Sequence, residues 1–139
     1  MTIQSKTNYL TFNGRADHYA GLADLFPGER ALVERYRTQF SGDVLDIAIG
    51  AGRTTRVLFP PARSYIGIDY SPSMIEAARL GSPAADLRVM DMREIPESLN
   101  PAKYDVILIS FNGIDYISWQ SRETLLFGLR PLLSETGVL

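Results

Sequence analysis

The chain has 139 residues, of which 45% are apolar and 22% charged, with a formal net charge of −2. That is the length of one domain, enough to bury a core, and its composition is that of an ordinary globular protein. The arginines are scattered, lysine occurs only at Lys6 and Lys103, cysteine is absent and His18 is the sole histidine, which excludes a phosphate-binding basic stripe, disulfides, thiolate metal sites and a His-rich metal site.

The polar stretch Met1–Leu10 has no signal-like apolar run. No segment approaches the ~20 apolar residues of a membrane helix. The expectation is a cytoplasmic protein without membrane, nucleic-acid or metal partners. An aromatic-rich stretch, Tyr9 to Phe26, reads as partly helical and ends at Pro27-Gly28. Glu29 to Phe40 follows as an amphipathic helix with Leu32, Val33, Tyr36 and Phe40 on one side, stopped by Ser41-Gly42. Residues 1–42 therefore read as a helical lid or cap, and 43–139 as the core.

Within the core the chain alternates. Val44 to Ala48 reads as a buried strand between glycines, Arg53 to Phe59 as a short helix ended by Pro60-Pro61, and Tyr65 to Asp69 as a second strand. Ser71-Pro72 opens a helix with serine at the cap and proline at the first position, and Gly81 closes it. Leu87–Met90 and Tyr104–Ser110 are further strands. Gln120 to Leu133 reads as a helix weakened by Gly128 and Pro131, and Gly137 as the opening of a fifth strand. Strands and helices in alternation, with continuously apolar strands, predict an α/β fold: a doubly wound, mostly parallel open sheet, broken off at the start of strand five. A bare fifth strand would offer a sheet edge for self-association.

Ligands of such sheets bind at the carboxyl ends of the strands. Those ends read Asp46-Ile47-Ala48-Ile49-Gly50-Ala51-Gly52, Asp69-Tyr70, Asp91-Met92 and Ser110-Phe111-Asn112. Gly50 and Gly52 permit a sharp turn and close approach to a ligand. Asp69 lies 19 residues past Gly50. That is the spacing at which an acid reaches a ribose hydroxyl pair, and a carboxylate can accept from both hydroxyls. The competing role for Asp69 is a helix cap. A dinucleotide fingerprint would carry a small residue where Thr55 stands, and Asp46 beside the turn would repel a pyrophosphate. A site ringed by Asp46, Asp69 and Asp91 suits a cationic nucleoside instead.

These segments resemble the motifs of class I S-adenosylmethionine-dependent methyltransferases. Val44-Leu45-Asp46-Ile47-Ala48-Ile49-Gly50-Ala51-Gly52 is similar to the first motif and Tyr65–Ile75 to the second; Asp91-Met92 and Tyr104–Leu108 are similar to the third and fourth. The resemblance runs from about Val44 to Leu139. It implies S-adenosylmethionine as cofactor and methyl transfer by in-line displacement to a small-molecule acceptor. It implies that Asp46 and the Ala48–Gly52 backbone hold the methionine end, Tyr70 and Met74 pack on adenine, Asp91 accepts from the adenine amino group with Met92 beside the ring, and Ser110 lines the floor near the methyl group. Ala48 departs from the motif, where glycine is usual, and Ser110-Phe111-Asn112-Gly113 lacks the Asp/Asn-Pro-Pro-aromatic signature of enzymes that methylate nucleic acid bases.

Other positions keep two roles open. His18 is either a base on the lid or a structural residue; Tyr19 and Arg15 either close over the cofactor or pack on the surface. Arg53 either reaches the methionine carboxylate or lies in solvent. Asn112, Asp115 and Tyr116 either orient a nucleophile or form a polar loop. Phe111 and Trp119 read as core, and Asp17, Asp24 and Glu29 as a solvated face. Two alternatives to a methyltransferase stand beside it: a non-catalytic module that binds S-adenosylmethionine or a related nucleoside, and a nicotinamide-dependent oxidoreductase with a degenerate fingerprint.

Overall fold

The computed structural model describes residues 15, 21, 24–99 and 102–139. Five strands, β1 Asp43–Ile47, β2 Ser64–Asp69, β3 Asp86–Val89, β4 Tyr104–Ile109 and β5 Leu133–Val138, form one sheet in the order β3-β2-β1-β4-β5. Every pair is parallel. The doubly wound α/β architecture expected from the alternating pattern is therefore present. The strand order reverses between β1 and β4, and a crevice forms there because the crossovers leave in opposite directions.

Among the described residues the helices are α1 Pro27–Arg35, α2 Arg37–Phe40, α3 Thr55–Leu58, α4 Pro72–Gly81, α5 Ile95–Ser98 and α6 Trp119–Leu129. They cover both faces of the sheet. On one face Phe40, Leu58, Ile75 and Ala78 pack on Val44, Tyr65, Leu87 and Val106. On the other, Ile95, Leu125, Leu129 and Leu132 pack on Leu45, Ile47, Ile68 and Ile107. Such double burial explains why β1 reads as a continuous apolar run rather than an alternating one. Away from the crevice, Asp105 ties the amino ends together, accepting from the Asp43 amide at 2.9 Å and the Ser134 hydroxyl at 2.7 Å. No helix among the described residues is long and apolar enough to cross a membrane.

Several boundaries differ from the sequence reading. The helix expected over Glu29–Phe40 is two helices, parted at Tyr36, whose ψ of 32° leaves the helical region. Ser118 caps α6 by accepting from the Ser121 amide at 3.2 Å. That helix stops at Leu129 and passes into a 3-10 turn, Arg130–Leu132, because Pro131 has no N–H to continue it. β5 accordingly starts at Leu133, well ahead of Gly137, and pairs Leu133 with Tyr104 and Val138 with Val106 across a register shift. Its Ser-Glu-Thr centre carries little strand signal, so β4 serves as its template. The sequence reading also missed the 3-10 turns Met92–Glu94 and Gly113–Tyr116 and helix α5.

Gly128 brings α6 against α5: a Cβ there would lie 2.6 Å from Pro96 Cγ. Alanine in a helix gains about 1 kcal/mol over glycine, whereas overfilling a packed contact costs about 1–3 kcal/mol. Gly128→Ala is therefore expected to lower stability. Gly28→Ala, in the first turn of α1 with nothing within 4 Å, is expected to raise it. Thermal unfolding of the two variants checks the pair of signs.

Candidate functional site

The segment after β1 turns through three left-handed residues, Ala48 (φ 61°), Gly50 (φ 55°) and Gly52 (φ 85°). Gly52 is needed for contact as well as dihedral, since a Cβ there would lie 2.9 Å from Ala78 Cβ on α4. At Gly50 a Cβ would meet nothing within 4 Å. Its glycine serves the turn and leaves open space above the backbone.

That turn is fastened to the end of β2. The Gly50 amide donates to Asp69 Oδ2 and the Ser71 amide to Asp69 Oδ1, both at 2.9 Å. Asp69 is 6% exposed and has no cationic partner among the described residues. Burial pushes its carboxyl above the usual range, and the two amides oppose the shift. Asp69 thus engages the cap residue Ser71 of α4 rather than the next amides along the helix, and each carboxylate oxygen keeps a further lone pair.

Asp46 lies elsewhere. It is fully buried on the same face of β1 as Val44, behind the turn. Its Oδ2 accepts from Thr54 Oγ1 at 2.6 Å and from the Tyr65 hydroxyl at 2.8 Å. Tyr65 has one proton to give, so Thr55 Oγ1, 2.9 Å away, is the donor in that contact. Asp46 Oδ1 has no hydrogen-bond partner among the described residues. Burial pushes the Asp46 carboxyl up to about 6, against the pull of the Thr54 and Tyr65 hydrogen bonds.

The switch point opens into a cleft enclosing about 1120 Å³ out to its mouth. Of the residues singled out from the sequence, Ala48, Gly50, Arg53 and Asp69 line its β1–β2 side. Tyr70, Met74, Asp91 and Met92 line the β2–β3 side, and Ser110, Asn112 and Tyr116 the β4 side. Asp46 and Gly52 do not reach it. Asp115 is also outside it, half-exposed and 3.1 Å from Arg122. His18 and Tyr19 lie outside the described residues. The expected ring of three presented carboxylates is thus corrected: β1 alternation turns Asp46 into the opposite layer, leaving Asp69 and Asp91 on the cleft.

Two charged pairs border the cleft. Asp91 caps the 3-10 turn, accepting from the Arg93 amide at 3.0 Å and Nε at 2.9 Å. Burial raises the Asp91 carboxyl, but Arg93 holds it below its ordinary value overall. Arg53 forms a two-pronged pair with Glu29, one contact being 2.7 Å. Its guanidinium also lies 4.4 Å from the Phe26 ring centroid. Glu29 in turn accepts from the Phe26 amide at 2.8 Å. Burial raises the Glu29 carboxyl; Arg53, the Phe26 amide and the Ser110 hydroxyl outweigh it and lower it.

Glu29 is therefore no solvated acid, as the sequence reading had it; its side chain is 12% exposed. Phe111, read as core, is 63% exposed at the cleft with φ 53° and stacks on Phe26 at 5.1 Å. Phe26 and Arg93 carry no site signal in the sequence, and Glu29 reads there only as a solvated acid. Glutamate three residues after Phe26, at a helix start, was the one local signal available for the α1 contact.

Residues 44–137 match a family model described as a methyltransferase domain. Over 80 residues the chain is 36% identical to an uncharacterized methyltransferase of Schizosaccharomyces pombe, covering 55% of this chain and 29% of that one. Among solved structures, the complex of DhpI with SAH superposes with TM-score 0.76 at 21% identity, covering 96% of this chain and 65% of that one. The DhpI–SAM–HEP complex gives 0.71 at 25%, with 97% and 62% covered. A TehB-like SAM-dependent methyltransferase of Corynebacterium glutamicum gives 0.71 at 21%, with 95% and 70% covered. The chain thus spans less than a third of the curated relative's length and about two-thirds of DhpI's.

The raised Asp46 carboxyl has a stability signature. An acid held at about 6 when folded, against 3.8 when free, favours the protonated native state. Its contribution is neutral below pH 4, falls as pH rises from 4 to 6, and is then lost on the order of 3 kcal/mol. Asp46→Asn keeps an acceptor for Thr54 and Tyr65 but cannot ionise. Urea unfolding at pH 4 to 7 is expected to show the variant gaining on the wild type through this window; a pH-independent difference would rule the effect out.

Proposed function

We propose, from the premise that this chain belongs to the class I S-adenosylmethionine-dependent methyltransferase family, that it binds S-adenosylmethionine at the switch-point cleft and transfers its methyl group to a small-molecule acceptor. The observation that carries the reading is Asp69: a nearly buried carboxylate held by two backbone amides, with no cation beside it among the described residues. Arg53 is matched by Glu29 and Asp91 by Arg93, so Asp69 is the charge left for a ligand. A carboxylate so placed repels phosphate and accepts readily from vicinal hydroxyls.

The residues present fit such a ligand. Open space over Gly50 lets a carboxylate or amino group approach the turn's backbone. In this reading Asp69 takes the ribose hydroxyls, and Ala48, Gly50 and Ala51 present main chain to the methionine end. Tyr70 and Met74 pack on the adenine, with Asp91 and Met92 along its edge and Ser110 beneath the methyl group. Gly52 shapes the turn through its contact with α4. Asp46 supports that turn from the far side, through Thr54 and Tyr65, instead of touching the ligand.

Bound there, S-adenosylmethionine supplies an activated methyl on a good leaving group. The chain's own contribution is then chiefly alignment, which can supply several kcal/mol of barrier lowering. Arg53 and Glu29 fix the first turn of α1 beside the glycine turn, which restricts water at that end. Asn112, on the cleft and uncharged, is placed to orient an acceptor by hydrogen bonding. A base is required only where the acceptor atom must lose a proton.

Calorimetric titration tests the reading. S-Adenosylmethionine and its demethylated product are expected to bind saturably, and NAD not at all. Asp69→Ala is expected to weaken binding about tenfold to a hundredfold, the worth of hydrogen bonds to a charged group. Binding of NAD alone, or full affinity in the variant, would overturn the proposal.

A further inference from the structure

Phe111 is hard to account for by folding alone. Its φ of 53° is one that glycine or asparagine adopts cheaply and a bulky side chain does not. Its ring does not repay this with core packing, since the residue is 63% exposed. It stacks on Phe26, ring centroids 5.1 Å apart and planes 24° from parallel. Phe26 is itself 38% exposed and is held from below α1 by the Glu29–Arg53 pair. Both rings line the cleft at its β4 side, next to Ser110. A strained, exposed aromatic residue at a ligand cleft points to a role in binding.

We infer that Phe111, backed by Phe26, is the acceptor platform of this cleft, selecting a neutral acceptor with a flat unsaturated ring beside the methylated atom. The inference rests on the reading of the cleft as a methyltransferase site and names the substrate class for it. A ring of the acceptor extends the two-ring stack by lying on the open side of Phe111, with the gain that aromatic pairs have over simple burial. Neutrality follows from the charges. Arg53 is spent on Glu29 and Asp91 on Arg93, so among the described residues the β4 side presents Ser110, Asn112 and Tyr116, all uncharged, as its polar groups. These suit a phenol oxygen or a heteroaromatic nitrogen better than an ammonium or a phosphate. Phe111 is a specificity-determining residue here and takes no part in breaking or making bonds.

The strain provides a test that a structural role would fail. Phe111→Gly relieves the left-handed backbone, so the variant is expected to unfold at the same temperature as the wild type or higher. Saturation-transfer NMR on the whole chain, with phenol and indole as probes and cyclohexanol as the saturated control, reads the platform directly. The wild type is expected to show phenol and indole signals well above cyclohexanol. Phe111→Gly is expected to lose about fivefold of the aromatic signal, and Phe111→Tyr to restore it. Aromatic signal unchanged in Phe111→Gly, or an unfolding temperature several degrees lower, would overturn the inference. The probes are run with and without the demethylated cofactor product. Failure of that product to bind the wild type would defeat the proposed function, while the product-free NMR would still decide the platform.

Discussion

The Asp69 carboxylate accepts the Gly50 amide on one oxygen and the Ser71 amide on the other, and through it the turn after β1 is held against the turn after β2. The geometry of the cleft depends on that bridge. It requires β1 and β2 to be adjacent and parallel, so that both carboxyl ends lie on one edge. It requires Gly50 to be left-handed, so that its N–H is aimed at the neighbouring strand. In exchange for burying a charge, it satisfies two main-chain donors that the turns would otherwise leave unpaired, and each oxygen retains a lone pair for a ligand.

Around this bridge the charges are sorted by partner. Glu29 with Arg53 and Asp91 with Arg93 are paired across or within single turns, which neutralises the rim and fixes α1 and the 3-10 turn after β3. Asp46 is a different case: buried and, among the described residues, hydrogen-bonded only by neutral hydroxyls and short of one partner. Hydroxyl donors compensate a buried carboxylate less than a cation does, which is why burial still pushes this carboxyl above its ordinary range. The network Thr54–Asp46–Tyr65–Thr55 anchors α3 to β1 and β2 beneath the glycine turn. The acid beside the turn and the acid at the next strand end therefore do complementary jobs, one supporting the backbone from behind and the other facing the cleft.

Backbone strain is concentrated at the same place. Ala48 and Phe111, the left-handed non-glycine residues among those described, follow the adjacent strands β1 and β4. Gly113 fits closely against Ala48, where a Cβ would come within 2.7 Å of the alanine's own. The glycine that the first motif usually carries is thus exchanged for alanine with the contact taken up on the facing loop. Strain of this kind persists because strands buried on both faces leave the turn no alternative path.

Much of this was legible in the chain. Apolar runs bounded by glycine and proline located β1 to β4, Ser71-Pro72 located α4, and the Gly50–Asp69 spacing located the cleft, because each signal is local or follows from one βαβ unit. The start of β5 was not, since its residues are strand-forming only on the template of β4. The orientation of Asp46 was half-legible: alternation assigns it to the Val44 face, but which layer of helices covers that face is a property of the crossovers. The Glu29–Arg53 pair and the Phe26–Phe111 stack join segments far apart in sequence, and neither partner carries a mark of the other. What the sequence determined by itself was the fold class and the edge at which a ligand would sit, through periodicity and turn chemistry. Which carboxylate faces that edge and which aromatic rings line the cleft were decided only by the tertiary structure, because burial and pairing depend on neighbours that the fold alone brings together.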